Sequence, residues 1–497
     1  MSQEAGRPGA TPRTYGNWAK PRSPGVGPLG LVGSGVALLG TLIAAVLVPV
    51  NLLYALGMGA LTGLVLVPLI PTRSGRTGWG EAIARLAWWR GRAKGQHVYE
   101  AGPLSPGARF RLPGLAAAIV AHEATDAAGQ PFALLLHPSA GGTATAVLGI
   151  QPEGEALIDE ADRDRMVATL GGWQAALGHE PGLIAAAIVI ETAPDPGTRL
   201  AAELAARRSP DAPALSVAVL DDIAATYPRS AGLLRGWATL TWTRTPTTFG
   251  ARKALQTTAD ELGRRVPALA LALADTGAGA PAALTRGELA RAVRAAFSPS
   301  EAAALDAGRA VEWEDCGPAG ALEEPGLYHH DESTSITWAM VGAPRGAVGS
   351  SILTPLLAPH PALPVKRVTL LYRPINPASA ARMVERDRRT TRFRAAAKRQ
   401  AKAVDDVAVL AAEQQAIEEA HGAGLVRFGL LVTVTVPAGD PEAIAAAVAA
   451  VGGLAAQSRI ELRRCWRWQP TAFLGALPLG LVLPLQTRIP PSLREAM

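Results

Sequence analysis

The sequence predicts an α+β protein with a helical hairpin near its N-terminus, and three observations carry that reading. From Ser23 to Thr72 no charged side chain occurs, a run of 50 residues bracketed by Arg22 and Arg73. After about Pro103 short β-rich stretches alternate with Ala-rich amphipathic ones, the pattern of a sheet packed on helices. Between Ala378 and His421 a helical pattern continues for more than 40 residues, longer than ordinary globular helices.

The uncharged run predicts two membrane spans. A spanning helix needs about 20 apolar residues at about 1.5 Å each, so the run divides into Leu29 to Val48 and Leu52 to Ile70, with Pro49-Val50-Asn51 as the turn. Arg7, Arg13, Lys20 and Arg22 precede the hairpin, and Arg73, Arg76, Arg85, Arg90, Arg92 and Lys94 follow it. The positive-inside rule then puts both termini in the cytoplasm, as in a multi-pass protein of the cytoplasmic membrane. A polar stretch of 22 residues before so long an apolar run does not fit a cleavable signal peptide. Gly59 and Gly63 form a small-residue face on the second helix, suited to packing on its hairpin partner or to oligomerisation. Trp79, Trp88 and Trp89 among basic residues suit an interfacial segment on the inner leaflet, near anionic headgroups.

In the soluble body, strands are expected at 132–137 and 143–150 as a hairpin around Pro138, and at 183–191 and 235–245. Helices are expected at 159–177, 198–208, 214–227 and 251–266, the last ended by Pro267. Residues 277–330 are rich in Gly, Pro and acids around one helix, 286–297, and read as a linker. The second half repeats the pattern: strand 333–341, helix 349–357, strand 366–373, the long helix, strand 426–436, helix 441–451 and strand 458–466. Strand, helix, strand on each side suggests two ferredoxin-like layers. The expected organisation is a tail at 1–24, a hairpin at 25–72, a juxtamembrane basic segment at 73–102, a first α+β domain at 103–277 and a linker at 278–330. A second domain at 331–497 carries the arm 378–421.

Composition narrows the function. The net charge is +6, only six of the 48 basic residues are lysine, and there are two cysteines, Cys316 and Cys465, which suits a reducing compartment. No Gly-Lys pair occurs, so a Walker A phosphate loop is excluded. His122-Glu123 lacks the second histidine of a zincin helix. His329 and His330 are adjacent and read as a solvated loop rather than a ligand pair. Cys465 lies among Arg463, Arg464 and Arg467 but has no base beside it in sequence. No catalytic, cofactor or metal residues are expected, and the protein reads as a non-enzyme without cofactors. In the arm, arginines crowd the first half and acids the second. Arg386 and Arg389 are candidate docking residues, open to three readings: a solvated face pairing with the acidic half, protein docking, or nucleic acid, for which the interleaved Glu385 and Asp387 are unfavourable.

"TAFLGALPLGLVLPL", 471–485, contains Pro478 and Pro484 and is too short and broken to span a membrane. Following "ELRRCWRWQ", it resembles the end of the N-terminal domain of the traffic ATPase of type IV secretion and conjugation systems. "YHHDESTSITWAMVGAPRGAVGSSILTPLL" and "GLVRFGLLVTVTVPAGDPEAIAAAVAAV" are similar to other parts of that domain. "TYGNWAKPRSPGVGPLG" with its hairpin is similar to the small two-helix inner-membrane subunit that some of these systems fuse ahead of the ATPase. Together they resemble an actinobacterial conjugative-element membrane protein. The family's motor would begin where this sequence stops, so the resemblance implies a scaffold without the ATPase motor, recruiting a separately encoded P-loop traffic ATPase. Expected partners are the lipid bilayer, that ATPase, other secretion-apparatus membrane subunits and a possible second copy. Phe473, Leu477 and Pro478 either close the protein's own core or present a docking edge to the ATPase. Two alternatives stand beside this reading: a structural component resembling EccE of type VII secretion, which also begins with two membrane helices, and a membrane-bound enzyme.

Overall fold

The computed structural model describes residues 15–16, 30–69, 77–103, 109–138, 142–152, 154, 158–195, 197–230, 232–244, 251–344, 347–396, 409, 412–413 and 424–486. The rest of the N-terminal tail, Leu29, residues 70–76 of the expected second span and basic segment, and most of the arm beyond Ala396 lie outside them. A short strand, β1 (Tyr15–Gly16), precedes two antiparallel helices, α1 (Gly30–Leu47) and α2 (Leu52–Leu66), and a third helix, α3 (Gly78–Ala93). The body then runs β2 (Val98–Glu100), β3 (Val120–Thr125), β4 (Pro131–His137), β5 (Thr143–Ile150), α4 (Glu160–Leu177), β6 (Leu183–Pro194), α5 (Thr198–Arg207), α6 (Ala214–Ser230), β7 (Gly232–Thr243), α7 (Ala251–Leu273) and β8 (Ala282–Ala283). It continues with α8 (Arg286–Phe297), α9 (Ala302–Asp306), β9 (Gly320–Glu323), β10 (Tyr328–His330), β11 (Ser333–Gly342), β12 (Ala347–Val348), α10 (Thr354–Leu357), β13 (Val365–Pro374) and α11 (Pro377–Ala396). The last elements are β14 (Val426–Pro437), α12 (Pro441–Gln457), β15 (Glu461–Arg464) and α13 (Gln469–Gly475).

One antiparallel sheet of 13 strands organises the α+β body, in the order β2-β9-β10-β11-β14-β13-β6-β7-β5-β4-β3, with β15 and β8 also paired to β11 and β5. Apart from the edge strand β2, the order is symmetric about the β13–β6 junction. β5-α4-β6-β7-α7-β8 and β11-α10-β13-β14-α12-β15 are both βαββαβ units in which the first strand lies between the third and the fourth. The two units join edge to edge through β6 and β13, where Ile188 pairs with Leu370. Equivalent residues keep the symmetry: Thr145 and Thr241 pair across β5–β7 as Thr337 and Thr433 do across β11–β14, and in each pair the hydroxyls are 2.9 Å apart. Each unit carries a helical insertion between its second and third strands, α5–α6 in the first and the α11 arm in the second. Because β6 and β13 run antiparallel, these insertions leave the sheet at opposite ends.

The sheet buries both faces. On one, α4 and α7 cover Leu134, Leu148, Ile188 and Leu240, and α10 and α12 cover Ile336, Val368, Val432 and Val434. The other is rich in Thr and Ser and is covered by α8, α13 and the chain after it, around Val189, Trp237, Phe297, Phe473, Leu477 and Leu481. The stretch expected as a linker is therefore folded: α8 starts with a capping box between Thr285 and Glu288 and buries Leu289, Ala290, Val293 and Phe297. Pro267 does not end α7, which continues to Leu273. A helical proline leaves the carbonyl four residues earlier without its donor, and here the Gly263 carbonyl accepts the Ala127 N–H at 3.0 Å. The helix expected from Gly349 is regular only over Thr354–Leu357. His329 and His330 lie on strand β10 and not in a solvated loop; His330 is 1% exposed and packs between the Phe297 carbonyl (2.7 Å) and the Ser335 hydroxyl (2.7 Å).

Candidate membrane and docking surfaces

The α1–α2 hairpin turns at Val48–Asn51, and the Asn51 carboxamide oxygen caps α2 by accepting the Leu53 N–H at 2.8 Å. The helices meet where Gly40 faces Thr62, so closely that a Cβ at Gly40 would collide with the Thr62 side chain. Thr62 turns its hydroxyl back to the Met58 carbonyl at 2.8 Å, which spares it an unpaired polar atom against lipid or protein. Ala55 and Thr62 are the buried residues of α2, while Leu38, Leu53 and Leu64 are more than 70% exposed. Of the expected pair of spans, Leu52–Leu69 is long and apolar enough to cross a membrane, 18 residues of mean hydropathy 2.0. The apolar part of α1 within the fully described residues is Gly33–Leu47, which is shorter. The Gly59 and Gly63 positions open to empty space, so neither serves the α1–α2 contact.

α3 begins where the apolar run of α2 ends. Thr77 caps it by accepting the Gly80 N–H at 3.1 Å, Gly78 abuts Pro68, and the Trp79 indole N–H donates to the Val65 carbonyl at 3.0 Å, one of the carbonyls a helix end leaves without an intrahelical donor. Glu81, Ala84, Trp88 and Gly91 are partly buried, whereas Trp79, Ile83, Leu86 and Trp89 are exposed. On the inner side Glu81 pairs with Arg467. Arg467 holds a left-handed φ of 66°, an unfavourable backbone for a non-glycine residue, and its N–H donates to the Pro325 carbonyl at 2.6 Å. α3 leads directly into β2 at one edge of the sheet, at the same end as the α11 arm; α5 and α6 leave the other end.

On the far side of the hairpin in sequence, β1 pairs with β12 of the body, Tyr15 opposite Val348 and Gly16 opposite Ala347. The segments before α1 and after α2 thus both reach the same body.

Phe473, Leu477 and Pro478 close the protein's own core and do not form a docking edge: all three are buried. The Gln469 carboxamide pairs with both backbone groups of Thr337, accepting its N–H at 2.8 Å and donating to its carbonyl at 3.2 Å. The Thr369 hydroxyl donates to the Ala476 carbonyl at 2.9 Å, and that of Thr241 to the Gly480 carbonyl at 3.3 Å. The chain from 469 to 480 therefore crosses the Thr-rich face from the second unit to the first. Gly480 sits at φ 63°, and a Cβ there would strike Thr145. Arg386 and Arg389 are exposed on α11, with Arg389 3.6 Å from Glu385. Arg392 reaches Glu413 at 2.6 Å, a contact between the basic and acidic halves of the arm. The helix expected at 214–227 forms as α6, with no docking role expected of it, yet it exposes Leu215 (77%), Val219 and Ile223. Their spacing of four places them on one helix face.

His122 and Glu123 lie on β3, where Glu123 accepts the Arg286 N–H at 3.0 Å, and Cys465 is buried. Residues 22–80 match a family described as a domain of unknown function (DUF8461); the matched segment takes in α1, α2 and the start of α3. No curated protein matches the chain.

Proposed function

We propose that this protein is a non-catalytic scaffold of the cytoplasmic membrane in a type IV secretion-like conjugative apparatus, holding an α+β body on the cytosolic side and docking a separately encoded traffic ATPase. Both α1 and α2 cross the bilayer in this reading, with both termini cytoplasmic. The observation that carries it is the β1–β12 pairing. A single span would put Tyr15 and Val348 on opposite sides of a membrane, whereas a two-span hairpin leaves them on the same side. The basic residues flanking both ends of the hairpin support the same orientation. The doubled βαββαβ order is that of ferredoxin-like units. With Phe473, Leu477 and Pro478 buried, docking falls to the exposed arginines of α11, Arg386 and Arg389, and to the apolar face of α6 at the sheet end away from α3. An exposed apolar helix face of this kind marks an interaction surface.

Both parts are testable in the native host. Cys316 and Cys465 are buried, so single cysteines at Ala10 and Val50 report topology: an impermeant thiol reagent should label Val50→Cys in intact cells, and Ala10→Cys only after lysis. Labelling of Ala10→Cys in intact cells would refute the hairpin. Co-purification of a P-loop conjugation ATPase supports the scaffold role, and type VII secretion subunits in its place would move the protein to the EccE-like alternative.

A further inference from the structure

We propose that α3 is an in-plane lipid-contacting helix that seats on an anionic bilayer surface through Trp79, Ile83, Leu86 and Trp89, its roll fixed by the Glu81–Arg467 pair. This rests on the membrane reading above and adds a second, non-spanning contact to it.

The placement follows from three independent features. First, α3 starts at the end of the apolar run Leu52–Leu69, tied to it by the Trp79 indole on the Val65 carbonyl and by Gly78 against Pro68. If that run crosses a bilayer, α3 begins in the headgroup layer, the depth that tryptophan favours. Second, the helix is split by face. Glu81, Ala84, Trp88 and Gly91 turn inward, while Trp79, Ile83, Leu86 and Trp89 are 43%, 64%, 62% and 69% exposed, an apolar stripe left open among the described residues. Third, the charge is one-sided. Glu81 is the only acid between Gly78 and Lys94, and its carboxylate is engaged by Arg467 and by Arg85 at 3.4 Å. Arg85, Arg90, Arg92 and Lys94 leave the helix with a cationic excess, which an anionic bilayer surface attracts. An apolar stripe flanked by basic residues is the pattern of helices that lie in the interface plane. The inward ion pair ends on Arg467, whose left-handed backbone donates its N–H to the Pro325 carbonyl, so the inward face of α3 is tied to the body at that residue.

The full chain, reconstituted in lipid nanodiscs, tests this. An environment-sensitive fluorophore on Leu86→Cys is compared with one on Ala202→Cys in α5, in discs of phosphatidylcholine with and without phosphatidylglycerol. In anionic discs the label at 86 should emit to the blue and be quenched by iodide several-fold less than the label at 202, with weaker protection in neutral discs. Equal quenching at the two positions in both kinds of disc overturns the proposal. So does protection that vanishes in discs holding a single copy, which would make the stripe a homomeric contact, or protection that requires an added partner protein. Alkaline carbonate extraction separates this from failure of the anchoring itself. Release of the chain refutes the span, whereas a retained chain with an unprotected label at 86 refutes the in-plane helix alone.

Discussion

Glu191 of β6 and Arg367 of β13 stand directly opposite each other at the junction of the two units, paired in register and by a buried ion pair. Arg235 lies 3.9 Å from the same carboxylate and pairs in turn with Asp306, while the Arg367 guanidinium also sits 5.9 Å from the centre of the Phe473 ring. The two partners are therefore unequally supported. Glu191 keeps a cation if Arg367 is removed, whereas among the described residues Arg367 keeps the aromatic face alone if Glu191 is removed.

Glu191→Leu is accordingly expected to lose about 3–5 kcal/mol, the magnitude for stranding a buried charge, and Arg367→Met clearly less. The double variant should recover most of the Glu191→Leu loss, because two apolar residues of similar volume leave no stranded charge. Thermal unfolding of the detergent-solubilised chain checks the ranking; an Arg367→Met loss equal to that of Glu191→Leu would show that Arg235 gives Glu191 no support.

At Gly480 two requirements coincide, a left-handed backbone and the absence of a Cβ facing Thr145. Gly480→Ala should destabilise by about 2–4 kcal/mol through strain and overpacking. Adding Thr145→Ala should restore the packing part and leave the backbone part, so the double variant is expected to melt between the single variant and the parent. Identical melting of Gly480→Ala and the parent would mean that the 469–480 crossing gives way at no cost.

His330 supplies a pH test. Burial pushes its pKa down to about 4 from the usual value near 6.5, and its two ring nitrogens already serve the Phe297 carbonyl and the Ser335 hydroxyl. Because the folded value lies below the unfolded one, its contribution is present above about pH 6.5. It is lost as pH falls toward 4, up to about 3 kcal/mol. His330→Gln should flatten that limb of the stability profile followed by near-ultraviolet circular dichroism, and an unchanged acid limb would assign the loss to other groups.

In the hairpin, Gly40→Val should separate α1 from α2 and lower the unfolding midpoint in detergent, with Thr62→Ala restoring part of the loss. Gly59→Ala, which faces open space, should leave the midpoint unchanged. A Gly59→Ala effect as large as that of Gly40→Val would place the helix contact on the wrong face.

Much of the body could be read from the chain because its signals were local. The strands 143–150, 183–194 and 426–437 alternate or run apolar between turn residues, and α4, α5 and α12 carry helical periodicity with Asp or Gly at their starts. The misreadings share another cause. Whether Pro267 ends α7 depends on a donor from Ala127, 140 residues earlier in the chain. The acid- and Gly-rich stretch 278–330 looks like a linker until α8 finds the sheet face it covers. The strands β9 and β10, four and three residues long, are too short for a period to register. Phe473, Leu477 and Pro478 could be read as core or as an edge, because only the Thr-rich face beneath them decides. α6 was legible as a helix, but its exposure depends on which end of the sheet it leaves.

The β6–β13 seam has a practical corollary. Each half carries a complete helix-backed layer, which invites expression of one half alone as a tractable fragment. Such a fragment would present a bare strand of ten or more residues to solvent, with Glu191 or Arg367 deprived of its counterpart. Naked edges of that length template intermolecular pairing, so truncations made there should yield insoluble material, and useful deletions lie in the insertions at either end.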